Sequence, residues 1–291
     1  MSLPRSVAAA VERIKSETVR GASWALLEAS RGILESIENG EKPCGRAEDI
    51  ARAVHEANPT MVPLEWVSYT VRTACDRGGE SALSEALRRL VDYQSRARRR
   101  LVEEGRFLLE DVRLVSVYSY SSSVELLLRA VPAARRPAVI VHESRPGGEG
   151  VFFARVLRDS GFNVRLVPDV LMYESAKLSD LVLVGADAVT LDGCIFNKVG
   201  TRLLAVSARD SERPLVAVFD ATKVSPTRSC EDHPITTREY VIEGYGAVEY
   251  PLFDSTPVEY FAGFITEKGF LEARRESLAR LVESLKEYLQ V

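Results

Sequence analysis

Asp187 follows the apolar run Leu181-Val182-Leu183-Val184. A carboxylate just past such a strand is partly desolvated, which raises its pKa toward the range useful for general acid/base work. Further on, Asn197 and Lys198 offer an amide and an ammonium to a hydroxyl or a phosphate. The structural alternative for this block is a loop cap. Arg145 follows a second apolar run, within Glu143-Ser144-Arg145-Pro146-Gly147-Gly148. Its planar fork suits bidentate phosphate binding, and glycines permit close backbone approach. The competing reading is a turn with a solvated arginine. The spacing is not GxGxxG, so a nicotinamide site is not indicated. Ser121, Ser122 and Ser123 open a helix after a third run. Hydroxyls and free N–H groups there suit a phosphate, and they serve equally as an N-cap.

Other polar groups carry less. His142 falls late in a buried strand and reads as a core histidine. Arg96 to Arg100 holds four arginines on a long predicted helix. A solvated face explains them, with an RNA-contacting patch as the alternative. Cys44, Cys75, Cys194 and Cys230 form no CxxC and have no neighbouring pair of histidines, so no zinc site is implied. The loop Cys230-Glu231-Asp232-His233 is likewise not assigned to a metal. No cofactor is implied. The expectation is four reduced thiols in a cytoplasmic protein.

These residues need elements to position them. Residues 1–108 read as helical: Val7, Val11 and Ile14, then Leu26, Leu27, Ile33 and Leu34, recur at spacings of three and four. Asn39-Gly40, Asn58-Pro59 and Gly78-Gly79 punctuate the pattern. From residue 109 to 291, short runs at Leu114–Val117, Ala138–Val141, Val164–Val167, Leu181–Val184 and Leu215–Phe219 alternate with helical stretches. The helical stretches are Val124–Ala130, Gly150–Ser160, Leu171–Lys177 and Lys198–Arg209. That alternation predicts a parallel sheet covered on both faces. Leu191-Asp192-Gly193 reads as a hairpin turn and Asp254 to Pro257 as a helix start. Residues 222–260 are irregular, and a final helix runs from Leu271 to Leu289. The predicted fold is α/β: a helical N-terminal domain (1–108) followed by a Rossmann-like, doubly wound, mainly parallel domain (109–291). Ligands bind such sheets beyond the carboxyl ends of the strands, which is where Asp187, Arg145 and the serines fall.

The 291 residues suffice for a sizeable core. With 38 Lys and Arg against 42 Asp and Glu, the net charge of −4 provides no global field toward nucleic acid, so direct nucleic-acid binding is not expected. No apolar run reaches the roughly 18–20 residues of a membrane span, and no membrane partner is expected.

Taken in order, Val19-Arg20-Gly21-Ala22, Glu143-Ser144-Arg145-Pro146, Gly185-Ala186-Asp187 with Asn197-Lys198-Val199-Gly200-Thr201, and Phe253-Asp254-Ser255-Thr256-Pro257 through Ile265-Thr266-Glu267-Lys268-Gly269 resemble one family. It contains the alpha, beta and delta subunits of translation initiation factor 2B. It also contains isomerases of methylthioribose 1-phosphate and ribose 1,5-bisphosphate. The resemblance implies a ligand site between the two domains, a homodimer or hexamer, and translation initiation factor 2 as a partner. In the isomerases a Cys and an Asp exchange protons while an aldose 1-phosphate opens to a ketose. Carried over, Arg20, Gly21, Ala22 and Arg145 hold phosphate, Asp187 is the catalytic Asp, and Asn197 and Lys198 contact substrate.

One position departs from the pattern. Where the isomerases have a His-Cys-Asn type segment, this chain has Tyr118-Ser119-Tyr120. A thiol titrates near 8.5 and can be tuned lower, whereas a serine hydroxyl needs an adjacent base. The expectation is therefore a factor-2B-like subunit that binds a phosphorylated sugar or nucleotide without converting it. The alternative is an aldose–ketose isomerase using Asp187, with Cys194 as the thiol nearest that block in sequence.

Overall fold

The computed structural model describes residues 3–17 and 21–291. Arg20 lies outside the described residues. Four helices come first: α1 (Arg5–Ser16), α2 (Ala22–Glu38), α3 (Ala47–Ala57) and α4 (Val62–Gly105). Val7, Val11 and Ile14 are buried as their spacing predicts. Helix α4 breaks at Gly78 (φ −162°, ψ 23°) and Gly79 (φ +63°, ψ −152°), the point where the sequence predicts a boundary. Gly79 takes a conformation that residues with a Cβ avoid.

The chain then alternates: β1 (Leu114–Val117), α5 (Ser122–Arg129), β2 (Ala138–His142), α6 (Glu149–Asp159), β3 (Val164–Val167), α7 (Met172–Leu178), β4 (Leu181–Gly185). A short hairpin follows, β5 (Ala188–Val189) and β6 (Cys194–Lys198), then α8 (Thr201–Asp210) and β7 (Leu215–Val218). The remainder is β8 (Thr237–Ile242), β9 (Gly246–Pro251), β10 (Phe253–Pro257), β11 (Gly263–Thr266), β12 (Gly269–Leu271) and α9 (Arg275–Leu289).

The central sheet has the order β12-β11-β7-β4-β1-β2-β3 and is parallel except for edge strand β12. The order reverses at β1, so the crevice between the ends of β1 and β4 is the switch point of a doubly wound sheet. Every residue of β4 is buried, because both faces are covered. Leu181 and Leu183 pack with Phe153 and Leu157 of α6 on one side. Val182 and Val184 pack with Leu204 of α8 and the N-terminal helices on the other. Each such Val or Leu contributes about 1.5–3 kcal/mol.

Three sequence expectations are corrected. Lys198 ends a strand, and the helix starts at Thr201. Asp254 to Pro257 is strand, paired antiparallel with β6 from Asp254↔Asn197 to Pro257↔Cys194. Pro257 is tolerated because it sits at the strand's end. The cysteines are not free: Cys44 bonds to Cys75 and Cys194 to Cys230. Pairs 31 and 36 residues apart are brought to Cα separations of 5.2 and 5.6 Å by packing of the segment between α2 and α3 on α4 and of the loop after β7 on β6. Such proximity leaves no trace in the spacing. No helix among the described residues is long and apolar enough to cross a membrane.

Candidate functional site

Two strand ends meet first. Past β1, Tyr118 is buried and its hydroxyl donates to Val199 O at 2.7 Å. Ser119 is buried with φ +61°, and Ser144, past β2, is buried with φ +60°. The N–H of Ser119 donates to Ser144 Oγ at 2.8 Å. Asp169, which follows β3, accepts from the N–H groups of Ser144 (2.9 Å) and Arg145 (2.6 Å). Three consecutive strands thus brace one turn. Positive φ in a residue with a Cβ costs on the order of 1 kcal/mol and collects at functional sites.

The Arg145 side chain is 54% exposed and its Nε pairs with Glu143 Oε2 at 3.1 Å. Ser121 is the N-cap of α5, its Oγ accepting from Val124 N at 3.4 Å. A Cβ on Gly185 would meet that Oγ at 2.4 Å, so the β4 end and the α5 cap interlock. His142 is a core histidine as expected: Nδ1 lies 3.0 Å from Val117 O, and burial lowers its pKa.

The second half of the site is built by β4, the β5–β6 hairpin and α8. Asp187 leaves β4 and its N–H donates to Phe196 O of β6 at 2.9 Å. Burial raises its carboxyl pKa, opposed by the charges of Lys223 and Lys198 and reinforced by Glu149. Its carboxylate makes no hydrogen bond among the described residues. Lys198 is 3% exposed, with Nζ 3.0 Å from Glu149 Oε1 at the start of α6 and 5.2 Å from the Tyr250 ring centre. Asn197 is buried and donates to Thr201 Oγ1 at 2.9 Å.

Gly200 turns the chain into α8 with φ +104°, and a Cβ there would stand 2.2 Å from Tyr118 Oη. Asp254 then accepts from Gly200 N (2.7 Å) and Arg202 N (3.2 Å), capping α8 from the neighbouring strand. Burial raises the pKa of Asp254, and these N–H bonds oppose the rise. Gly21 is exposed at the N-cap of α2, and Ala22 is buried as its first residue. Near that helix start, Gln94 of α4 donates to Ser23 Oγ at 2.6 Å.

Lys198 and Glu149 thus form an ion pair at the switch point, and their charges, with that of Lys223, act on the Asp187 carboxyl. The ammoniums suit an anionic ligand, and an Asp of raised pKa suits proton exchange with a hydroxyl. The hydroxyl of Ser119 has no hydrogen-bonding base among the described residues. Cys194 and Cys230 are bonded to each other, which removes Cys194 as an acid. His233 of that loop stacks on Phe196 with centroids 4.2 Å apart.

Sequence reasoning assigned no role to Glu149, Lys223 or Tyr250. Lys223 carried a signal, since it follows the fifth parallel strand. Glu149 carried a weaker one, as part of the strand-end segment 143–150, and Tyr250 carried none: it lies on the β8–β9 ribbon, and only the fold brings both to Lys198.

The chain is similar to known proteins over nearly its full length. The profile of the initiation factor 2 subunit family matches residues 18–273. A putative translation initiation factor eIF-2B subunit 2-like protein of Pyrococcus furiosus is 30% identical over 280 residues, 95% of this chain and 100% of that one. A ribose 1,5-bisphosphate isomerase of Archaeoglobus fulgidus is 28% identical, covering 89% of this chain and 88% of that one. The crystal structure of translation initiation factor eIF-2B from Pyrococcus horikoshii OT3 superposes with a TM-score of 0.82 at 28% identity, covering 94% of this chain and 99% of that one.

Proposed function

The chain belongs to the initiation factor 2 subunit family, and on that premise we propose that it is a factor-2B-like subunit that binds a phosphorylated sugar or nucleotide and does not convert it. The observation that carries this reading is at the end of β1. The hydroxyl of Ser119, which the resemblance sets in the place of the isomerases' cysteine, has no base among the described residues, and all four cysteines are in disulfides. Without a thiolate or an activated hydroxyl, the proton shuttle has one competent member, Asp187. Loss of one acid/base partner costs roughly 10²–10⁴-fold in rate.

Binding is supported by what remains. Lys198 and Lys223 supply positive charge near Asp187, and Arg145 stands at the next strand end with its guanidinium partly free to solvent. Arg20, Gly21 and Ala22 complete the phosphate contacts in this reading. Asn197 fixes the turn that presents Lys198, through Thr201. The subunit acts as a homodimer or hexamer and through translation initiation factor 2, in the cytoplasm, with the boundary between its two domains near residue 108.

The test is a thermal-shift screen of the full chain against ribose 1,5-bisphosphate, methylthioribose 1-phosphate and nucleotides, followed by a ketose assay on each hit. Stabilisation without turnover is expected. Turnover at enzyme-like rates overturns the reading. The second reading, an aldose–ketose isomerase, draws support from the raised pKa of Asp187. It requires measurable turnover that Asp187→Asn abolishes.

A further inference from the structure

Two features of the sequence take no part in the site above: the arginine run at 96–100 and the segment Ile265-Thr266-Glu267-Lys268-Gly269. The fold brings them together. Tyr93, Arg96, Ala97, Arg100 and Glu103 recur at helical spacing on α4, so they share one face. That face, the turn between β11 and β12, and Ser284, Glu287 and Tyr288 of α9 enclose a cavity of about 700 Å³. None of the residues around Asp187 lines it.

Its walls are chemically organised. The floor is a buried acid–phenol pair: Tyr93 donates its hydroxyl to Glu267 Oε1, and Ala221 N donates to Glu267 Oε2 at 3.2 Å. Glu267 is 3% exposed and Tyr93 7%. Burial, with Asp220 nearby, pushes the Glu267 carboxyl up to about 7. Toward the mouth stand Arg96, Arg99, Arg100 and Lys268. Arg96 is paired with Asp92 at 2.8 Å, whereas Arg99, Arg100 and Lys268 enter no ion pair among the described residues. Glu103 and Glu287 complete the rim.

We propose that this cavity is a second ligand site, taking a small hydroxylated phosphate ester whose phosphate is held by Arg99, Arg100 and Lys268 and whose hydroxyls bond to Glu267. Guanidinium groups match phosphate oxygens in a fork geometry, and an adjacent ammonium adds charge. A buried carboxyl is the natural partner for a hydroxyl entering the cavity. The volume lies in the range of small-molecule sites. Two acids on the rim repel a long polyanion, which favours a small ester over RNA. This separates the arginine run from the patch that composition alone suggests.

The test uses the full chain, with ribose 5-phosphate and inorganic phosphate as probes in isothermal titration. The Arg100→Gln/Lys268→Gln double variant changes two exposed side chains and retains the fold, which circular dichroism verifies. It is expected to weaken ribose 5-phosphate binding at this site at least tenfold. Lys198→Gln removes any binding of ribose 5-phosphate at the switch point and leaves the isotherm that depends on Arg100 and Lys268. Glu267→Gln weakens ribose 5-phosphate more than inorganic phosphate, because only the sugar extends hydroxyls from the phosphate down to Glu267. Three results overturn the proposal: no binding of either probe at millimolar concentration, binding unchanged in the double variant, or binding lost only in Lys198→Gln. The last result leaves the switch-point site standing alone, so the two readings fail separately.

Discussion

Ser144 Oγ accepts the N–H of Ser119 at 2.8 Å, and both residues have φ near +60°. Two strained turns, at the ends of adjacent strands, are held by one side chain. The same Oγ lies 3.1 Å from His142 O, to which it donates, so the hydroxyl is used in both directions. Removing it leaves a buried N–H without a partner, which costs about 1–3 kcal/mol. Ser144→Ala is therefore expected to destabilise the protein by that amount in urea denaturation. An unchanged midpoint for Ser144→Ala would show that the brace contributes nothing.

Ser119→Cys places a thiol at the end of β1, where the proposed reading sets the isomerases' cysteine. Serine and cysteine are near in size, so the turn accommodates the exchange. If the site is a binding pocket that lacks only its proton shuttle, this variant gains conversion of ribose 1,5-bisphosphate by a factor on the order of 10²–10⁴ over wild type. The gain disappears in Ser119→Cys/Asp187→Asn. A ketose assay decides it, and no gain means that more than the thiol has been lost.

Gly200 is required twice over. Its φ of +104° excludes residues with a Cβ, and a Cβ would stand 2.2 Å from Tyr118 Oη. Gly200→Ala must displace Tyr118 or unwind the start of α8, at a cost of at least about 2 kcal/mol. Thermal denaturation and the near-ultraviolet signal of Tyr118 report it. Tyr118→Phe in the same background removes the hydroxyl contact and recovers part of the loss.

His233 gives a pH dependence. Burial, and then the nearby Arg228 guanidinium, lower its pKa from 6.5 to about 4. Arg228 Nη1 lies 3.5 Å from His233 Nδ1 and Arg228 Nη2 lies 2.8 Å from His55 Nε2, and the pKa of His55 is lowered as well. The folded protein keeps His233 neutral, whereas the unfolded chain protonates it below about 6.5. The stability contributed by a neutral His233 is therefore full above pH 6.5, is lost as the pH drops toward 4, and changes no further below that. The loss from His233 is at most about 3 kcal/mol. Chemical denaturation at pH 7.5 and 4.5 measures it, and His233→Asn is expected to flatten the slope. An equal slope in that variant would assign the acid sensitivity elsewhere.

The parallel strands were legible because burial on both faces demands continuous runs such as Leu181–Val184, and a run of that kind is visible in one dimension. Asp187 was legible for the same reason, since it is the first acid beyond the run. Lys198 was singled out for its charge but set on a helix, because pairing with β10 decides its conformation and lies 55 residues away at Phe253. Asp254 was read as starting its own helix, whereas it caps α8. A cap supplied from another strand has no local signature.

The sequence by itself determined the doubly wound architecture, the family and the absence of a thiol after β1. These depend on local pattern or on residue identity at one position. Tertiary structure decided the rest. It paired all four cysteines, set Glu149 against Lys198, and folded the arginine run of α4 against Glu267 and Lys268. Such relationships join residues 30 to 170 positions apart, and only closure of the chain around its core fixes them.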